Sequence, residues 1–199
     1  MRVGILATQG DFAAHAAAIA RAGADAILVR RPADFTGLDA LVLPGGESTA
    51  MLHGIERDHL GTPLQAFFAA QRPVLATCAG SILLARRVDN PPQRSYGVLD
   101  IDITRNAYGT QVDSFETVAE TACGSPFVGL PCVLIRAPRI VRCGAGVTVH
   151  ARVHGSPALV SSGAIWAATF HPELTGDRRV LDAVLRSDGA LPLARDHAG

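Results

Sequence analysis

The 199-residue sequence predicts a three-layer α/β fold: a mainly parallel central sheet with helices on both faces and antiparallel strands in its C-terminal half. Two patterns carry this expectation. In the first half, short and wholly apolar runs alternate with helical stretches, as in parallel strands buried on both faces by their crossover helices. After Pro91-Pro92 the runs switch to apolar–polar alternation with hairpin signals, which marks strands that keep one face toward solvent. A composition of 48% hydrophobic and 18% charged residues suits one compact globular unit with a sizeable core.

In chain order, residues 2–8 (RVGILAT) predict a buried strand. Asp11 can cap the helix FAAHAAAIARAG that follows, and Gly23 can end it. A strand over residues 24–30 and another over 38–43 precede a glycine turn at Pro44-Gly45-Gly46. Helices are predicted over 48–57 and 62–71, then the strand VLAT after Pro73, then a helix over 81–87. Strands are expected at 98–104, 114–120, 132–136 and 147–153, with a hairpin over 158–170 around Ser162-Gly163. A last amphipathic helix covers 177–186. No flexible linker separates the halves, so residues 1–186 read as one domain. Residues 187–199 mix Gly, Pro and charge and read as a fraying tail.

Eighteen basic residues balance eighteen acidic ones, and there is no basic run, which argues against nucleic-acid or membrane-surface partners. The N-terminal apolar run lacks the length and cleavage site of a secretory signal, and no stretch approaches the roughly 18 apolar residues needed to span a bilayer. Cys78, Cys123, Cys132 and Cys143 show neither a CxxC pair nor zinc-ligand spacing. The expectation is a soluble cytoplasmic protein with free thiols and no metal.

Three segments at predicted strand ends could carry chemistry. In VLATCAGSILLA a strand turns directly into a helix at Cys78, which would hold the thiol at the sheet's carboxyl edge against free helix N–H groups that favour the thiolate. Gly80 leaves room for the turn and for substrate, and the amide of Ala79 could face a developing oxyanion. By itself this stretch reads more readily as a buried structural cysteine than as a nucleophile. In TFHPELT, Pro172 pushes His171 toward an extended conformation, which would place Glu173 on the same side and let its carboxylate orient the imidazole as a base. Alone it reads as a histidine in a turn. In LPGGEST, two adjacent glycines let backbone N–H groups approach a bound group, so Gly46 could supply the other half of an oxyanion hole, with Ser48 or Thr49 capping the next helix. There is no Walker lysine and no GxGxxG. Open α/β sheets put their sites at these strand ends, so the co-occurrence favours catalysis.

Together PGGES (44–48), TCAG (77–80) and FHPELT (170–175) resemble the class I, triad-type glutamine amidotransferases, whose fold is flavodoxin-like. GDFAAH (10–15), RNAYGTQVDSFE (105–116) and LIRAPRI (134–140) narrow the resemblance to the glutaminase subunits of pyridoxal 5′-phosphate synthase, over nearly the whole chain. Where other amidotransferases usually carry a glutamine four residues past the nucleophile, this chain has Ile82. The resemblance implies Cys78 as nucleophile, His171 as base and Glu173 as its orienting group, with Gly46 and Ala79 as oxyanion donors. It implies that Gly46, Glu47, Ser48, Arg105, Ile135 and Arg136 contact L-glutamine, the arginines suiting its α-carboxylate, and that Gln9 lies in an activation loop. It further implies ammonia delivery to a (β/α)8 synthase subunit in a large hetero-oligomer, with no metal or organic cofactor on this subunit. Departures are Ala76 in place of a glycine, ATQG in the first turn, Thr110 in place of an arginine, and Pro131-Cys132 as an apparent short insertion. The remaining cysteines and the histidines His15, His53, His59, His150, His154 and His197 are assigned to structure or surface. Two other readings are a glutaminase serving imidazole glycerol phosphate synthase or a further amination pathway, and a non-catalytic elbow-cysteine sensor.

Overall fold

A computed structural model describes residues 1–105 and 114–187. The chain runs β1 (Arg2–Leu6), α1 (Phe12–Arg21), β2 (Asp25–Val29), β3 (Ala40–Leu43), α2 (Ser48–Arg57), α3 (Gly61–Ala69), β4 (Val74–Thr77) and α4 (Ala79–Leu84). It continues through β5 (Ala85–Asp89), β6 (Leu99–Thr104), β7 (Phe115–Val118), β8 (Pro131–Leu134), β9 (Arg139–Cys143), β10 (Thr148–Val153), β11 (Ser156–Ser162), β12 (Ile165–Ala168) and α5 (Arg179–Leu185).

The central sheet has seven strands in the order β10-β11-β12-β4-β3-β1-β2. Strands β2, β1, β3, β4 and β12 run parallel, while β11 is antiparallel to both its neighbours. Because β1, β3, β4 and β12 share a direction, the segments that follow them emerge at one edge of the sheet. The segment after β1 reaches this edge beside the turn after β3, at the point where the strand order reverses, and open α/β sheets bind ligands at such points.

Alternate side chains on these strands enter two separate cores, as a period of two requires. Leu41, Leu43, Val74 and Ala76 pack with α2, α3, α4 and the small sheet β5-β6-β9. Ala40, Val42, Leu75 and Trp166 pack with α1, α5 and the hairpin β7-β8. The layered architecture expected from the sequence is therefore present, with an additional small sheet on each face.

The helix predicted over 81–87 stops at Leu84, and Ala85 takes up extended backbone to begin β5. Leu-Leu-Ala-Arg-Arg favours helix locally, but parallel pairing with β6 overrides that preference. Arg86 and Arg87 then lie exposed beside Asp100 and Asp89. The strand expected over 132–136 covers Pro131–Leu134 and ends before Arg136, whose φ of 45° leaves extended geometry. Pro131-Cys132 thus belongs to a regular strand, with Cys132 fully buried. Strand β9 has no counterpart in the sequence reading, because the arginines of RIVRC mask its alternation. Thr110 and most of the RNAYGTQVDSFE segment lie outside the described residues, as does the tail from residue 188. Among the described residues no helix is long and apolar enough to cross a membrane, and the four cysteines are free.

Candidate active site

Cys78 occupies the corner between β4 and α4 in a conformation rare for a residue with a side chain, φ 45° and ψ −110°. Such backbone strain persists only when the surroundings over-determine it. Here the Cys78 N–H donates to the Ala168 carbonyl of β12 at 2.8 Å, and the Ser81 hydroxyl donates to the Cys78 carbonyl at 2.6 Å. Gly80 makes room for neighbouring backbone at this turn. A Cβ there would collide with the carbonyls of Leu43 and Pro44, so the glycine lets α4 pack directly on the end of β3.

His171 is the partner of that thiol. Its backbone N–H donates to the Val133 carbonyl at 2.8 Å, which ties it to β8, and its Nδ1 lies 2.7 Å from Oε1 of Glu173. An ionised carboxylate only accepts, so Nδ1 carries the proton and Nε2 is left for Cys78. The expected extended His-Pro-Glu is replaced by a 3-10 turn over Pro172–Leu174, and the carboxylate reaches the ring through this turn. Proline tolerates the first position of a helical turn as well as extended backbone, and the turn wins here. Burial disfavours the imidazolium, but hydrogen bonds to Cys78 and Glu173 outweigh it and raise His171 to about 10. Burial likewise opposes ionisation of Glu173, yet hydrogen bonds from His15 and His171 bring it down to about 2. Cys78, His171 and Glu173 therefore form one connected chain of charge-stabilising contacts.

The glycine turn closes the other side. A Cβ on Gly45 would fall on Cε1 of His171 and close to Cβ of Cys78, so this position admits no side chain. Gly46 has φ 146°, and a Cβ there would strike Oε1 of Gln9. That same oxygen accepts the Glu47 N–H at 2.6 Å, so Gln9 props the Gly46–Glu47 peptide from behind. Glu47, rather than Ser48 or Thr49, caps α2, accepting the N–H groups of Thr49 at 3.1 Å and Ala50 at 2.7 Å. The carboxylate reaches two free amides where a hydroxyl reaches one. The Ser48 hydroxyl instead donates to Oε1 of Gln93 at 2.8 Å.

A cavity of about 250 Å³ opens between these pieces. It is lined by each residue implicated from the sequence except Gln9, namely Cys78, His171, Glu173, Gly46, Ala79, Glu47, Ser48, Arg105, Ile135 and Arg136. Arg105 reaches across to Oε1 of Glu47 at 3.0 Å, and the Ile135 carbonyl lies 3.8 Å from the Cys78 sulfur. Asp11, Ile82 and Pro138 also line it. Among the described residues no group of three or more His, Cys, Asp and Glu side chains is arranged to hold a metal ion. Sequence reasoning missed His15, which it assigned to structure or surface. Its Nε2 lies 3.3 Å from Oε1 of Glu173. The available signal was its place on the buried face of α1, four residues before Ile19.

A doubly wound sheet with thiol, imidazole and carboxylate connected in series at its carboxyl edge is the architecture of the glutamine amidotransferases. The chain belongs to the SNO glutamine amidotransferase family, whose model matches residues 5–187. It is 47% identical over 197 residues to a pyridoxal 5′-phosphate synthase subunit PdxT from Frankia casuarinae, with 95% of this chain and 97% of that one covered. It is 45% identical over 186 residues to the subunit of the same name from Koribacter versatilis, covering 94% and 95% of the two chains. A crystal structure of a glutamine amidotransferase superposes with a TM-score of 0.87 at 39% identity, covering 94% of this chain and 98% of that one. The structure of PurLQS from Thermotoga maritima matches with a TM-score of 0.67 at 15% identity, over 92% and 96% of the chains, and shares the fold alone.

Proposed function

We propose that this chain is the glutaminase subunit of a pyridoxal 5′-phosphate synthase, with residues 1–186 as its catalytic domain. The observation that carries the chemistry is the imidazole of His171 held between the thiol of Cys78 and the buried carboxylate of Glu173. The names of the PdxT relatives support the choice of pathway over imidazole glycerol phosphate synthase. A sensor protein would need the reactive thiol but not the His171–Glu173 pair, nor a cavity flanked by Glu47 and two arginines.

In this reading, Arg105 and Arg136 attract the α-carboxylate of L-glutamine and Glu47 its ammonium group, while Ser48 and Ile135 border the side chain. The Cys78 thiolate attacks the side-chain amide carbon. As the C–S bond forms, the carbonyl oxygen takes the negative charge and is met by the amides of Gly46 and Ala79. The His171 imidazolium gives its Nε2 proton to the departing nitrogen, the C–N bond breaks, and ammonia leaves a γ-glutamyl thioester. Water then attacks the thioester, His171 takes its proton, and the C–S bond breaks to release glutamate. Glu173 holds the ring in the required tautomer and stabilises its cationic state throughout. Ammonia passes to a (β/α)8 synthase subunit within a large hetero-oligomer, and Gln9, which accepts the Glu47 N–H beside the glycine turn, belongs to an activation loop that docking adjusts in this reading.

The test is glutamate release from glutamine, measured with and without the synthase subunit. Turnover should rise with the synthase and vanish in Cys78→Ala. Undiminished turnover in that variant would overturn the reading, as would stable capture of a different synthase with glutamine-dependent product formation.

A further inference from the structure

The buried imidazole of His15 is not used by the mechanism above, yet it is 3% exposed and reaches the carboxylate on which the mechanism depends. Its Nε2 lies 3.3 Å from Oε1 of Glu173 and 3.2 Å from Oγ1 of Thr77, the residue before the nucleophile. The same Oε1 receives Nδ1 of His171 at 2.7 Å, while Oε2 of Glu173 has no hydrogen-bond partner. A carboxylate with 2% side-chain exposure thus has ring nitrogens of two histidines beside the same oxygen, and either can stabilise its charge as an N–H donor.

We propose that His15 is a positioning residue for the catalytic triad: from α1 it donates Nε2–H to Glu173, fixing the carboxylate's charge and direction toward His171. The proposal rests on the glutaminase reading for its effect on turnover, but not for its effect on the His171 ring. Its position makes the role specific. Helix α1 follows directly on the segment whose Gln9 props the Gly46–Glu47 peptide and whose Gly10 packs against the Gly45 carbonyl. One stretch of seven residues, 9–15, therefore touches both the glycine turn and the triad carboxylate. A shift of this stretch would move the oxyanion side and the base side of the site together.

Other charged groups near the pair are already engaged or lie farther toward solvent. Behind Glu173, a cavity of about 20 Å³ between α1 and the approach to α5 is bordered by Arg21, Asp177 and Arg178. Asp177 is paired with Arg179, and Arg178 with Asp182. In front, Asp11, Glu47, Arg105 and Arg136 face the main cavity with Cys78. His15 touches the carboxylate from the side of α1.

The experiment compares His15→Leu, His15→Asn and His15→Gln, since a Gln amide can reach the place of Nε2 whereas an Asn amide stops short of it. NMR titration of the His171 ring is the readout that packing alone would not move. Loss of the donor weakens Glu173 as an anion, so the His171 midpoint should fall by about one unit or more in Leu and Asn and recover in Gln, a tenfold change in the ring's proton affinity. Glutamine turnover in complex with the synthase should follow the same order, falling about ten- to a hundredfold in kcat with KM little changed. If Leu does not fold, the Asn–Gln pair decides, because the two differ only in reach. Equal His171 midpoints in Asn and Gln, or an unshifted midpoint in a folded Leu variant, would overturn the proposal. A shifted midpoint in a chain that never hydrolyses glutamine would leave it standing and count against the glutaminase reading instead.

Discussion

The two sides of the cavity are built differently. On one side Cys78, His171 and Glu173 sit on or beside the ends of β4 and β12, buried or nearly so, with the backbones of Cys78 and His171 pinned by hydrogen bonds to neighbouring elements and the Glu173 carboxylate held by His171. On the other side Glu47, Ile135 and Arg136 are exposed, and Arg105 satisfies Glu47 directly through a pair whose acidic side chain is 50% exposed. The buried side is held ready by the sheet before any substrate arrives. The exposed side must exchange contacts within itself for contacts to a ligand. In the proposed reading, chemistry that needs sub-ångström alignment would sit on the rigid scaffold, and recognition that tolerates adjustment on turns.

Variants on the two sides should therefore fail in different ways. The largest effect belongs to Cys78→Ala, expected to lower kcat by about 10⁴-fold or more while glutamine binding, followed by calorimetry, stays within a few-fold. Equal loss of binding would erase the distinction between the sides. Glu173→Gln should cost about 10²- to 10⁴-fold in kcat, since a neutral amide neither stabilises the imidazolium nor enforces its tautomer. The same variant should lower the His171 midpoint by NMR. In Gly45→Ala the new methyl meets Cε1 of His171, and displacing the ring by about 1 Å should cost about 10²-fold without a matching rise in KM.

On the recognition side, Arg105→Met should raise KM about 10- to 100-fold with kcat changed only a few-fold, because it removes binding felt equally by ground and transition states. A fall in kcat alone would mean that the exposed side also aligns the reaction.

The smallest effect is on stability against pH. His171 is raised from 6.5 to about 10, so its contribution is complete below 6.5 and drains away as pH climbs toward 10. Glu173 is lowered from 4.5 to about 2, so its contribution is complete above 4.5 and is lost as pH falls toward 2. The triad should stabilise the fold most between pH 4.5 and 6.5. The Tm advantage of the parent chain over His171→Gln should narrow by a few degrees from pH 6.5 to pH 9. A constant difference would show that the ring's charge is not coupled to folding.

Legibility in the sequence followed the same division. The strands of the central sheet were readable because burial on both faces makes them continuous apolar runs, as in VLAT and ALVL. The elbow, the glycine turn and the His-Pro-Glu segment were readable because strained or backbone-exposed positions demand particular residues. Strands β5 and β9 were not, since RRV and RIVRC carry arginines whose partners, Asp89, Asp100 and Asp102, are remote in sequence or meaningful only after pairing. The cap on α2, expected at Ser48 or Thr49, falls one or two residues earlier, because Glu47 competes with two better-known capping types and wins by reaching two amides.

By itself the sequence determined the layered α/β plan and pointed to Cys78, His171, Glu173 and the glycine turn as candidate site positions, because each depends on local backbone demands or on a period of two or 3.6 residues. Only the tertiary structure decided that a 3-10 turn brings Glu173 to His171, that Gln9 braces the Gly46–Glu47 peptide, and that His15 stands behind the carboxylate. Those contacts join residues as many as 158 positions apart, such as His15 and Glu173. No local pattern records them, because the free energy that holds them arises only when the strands have set the distance.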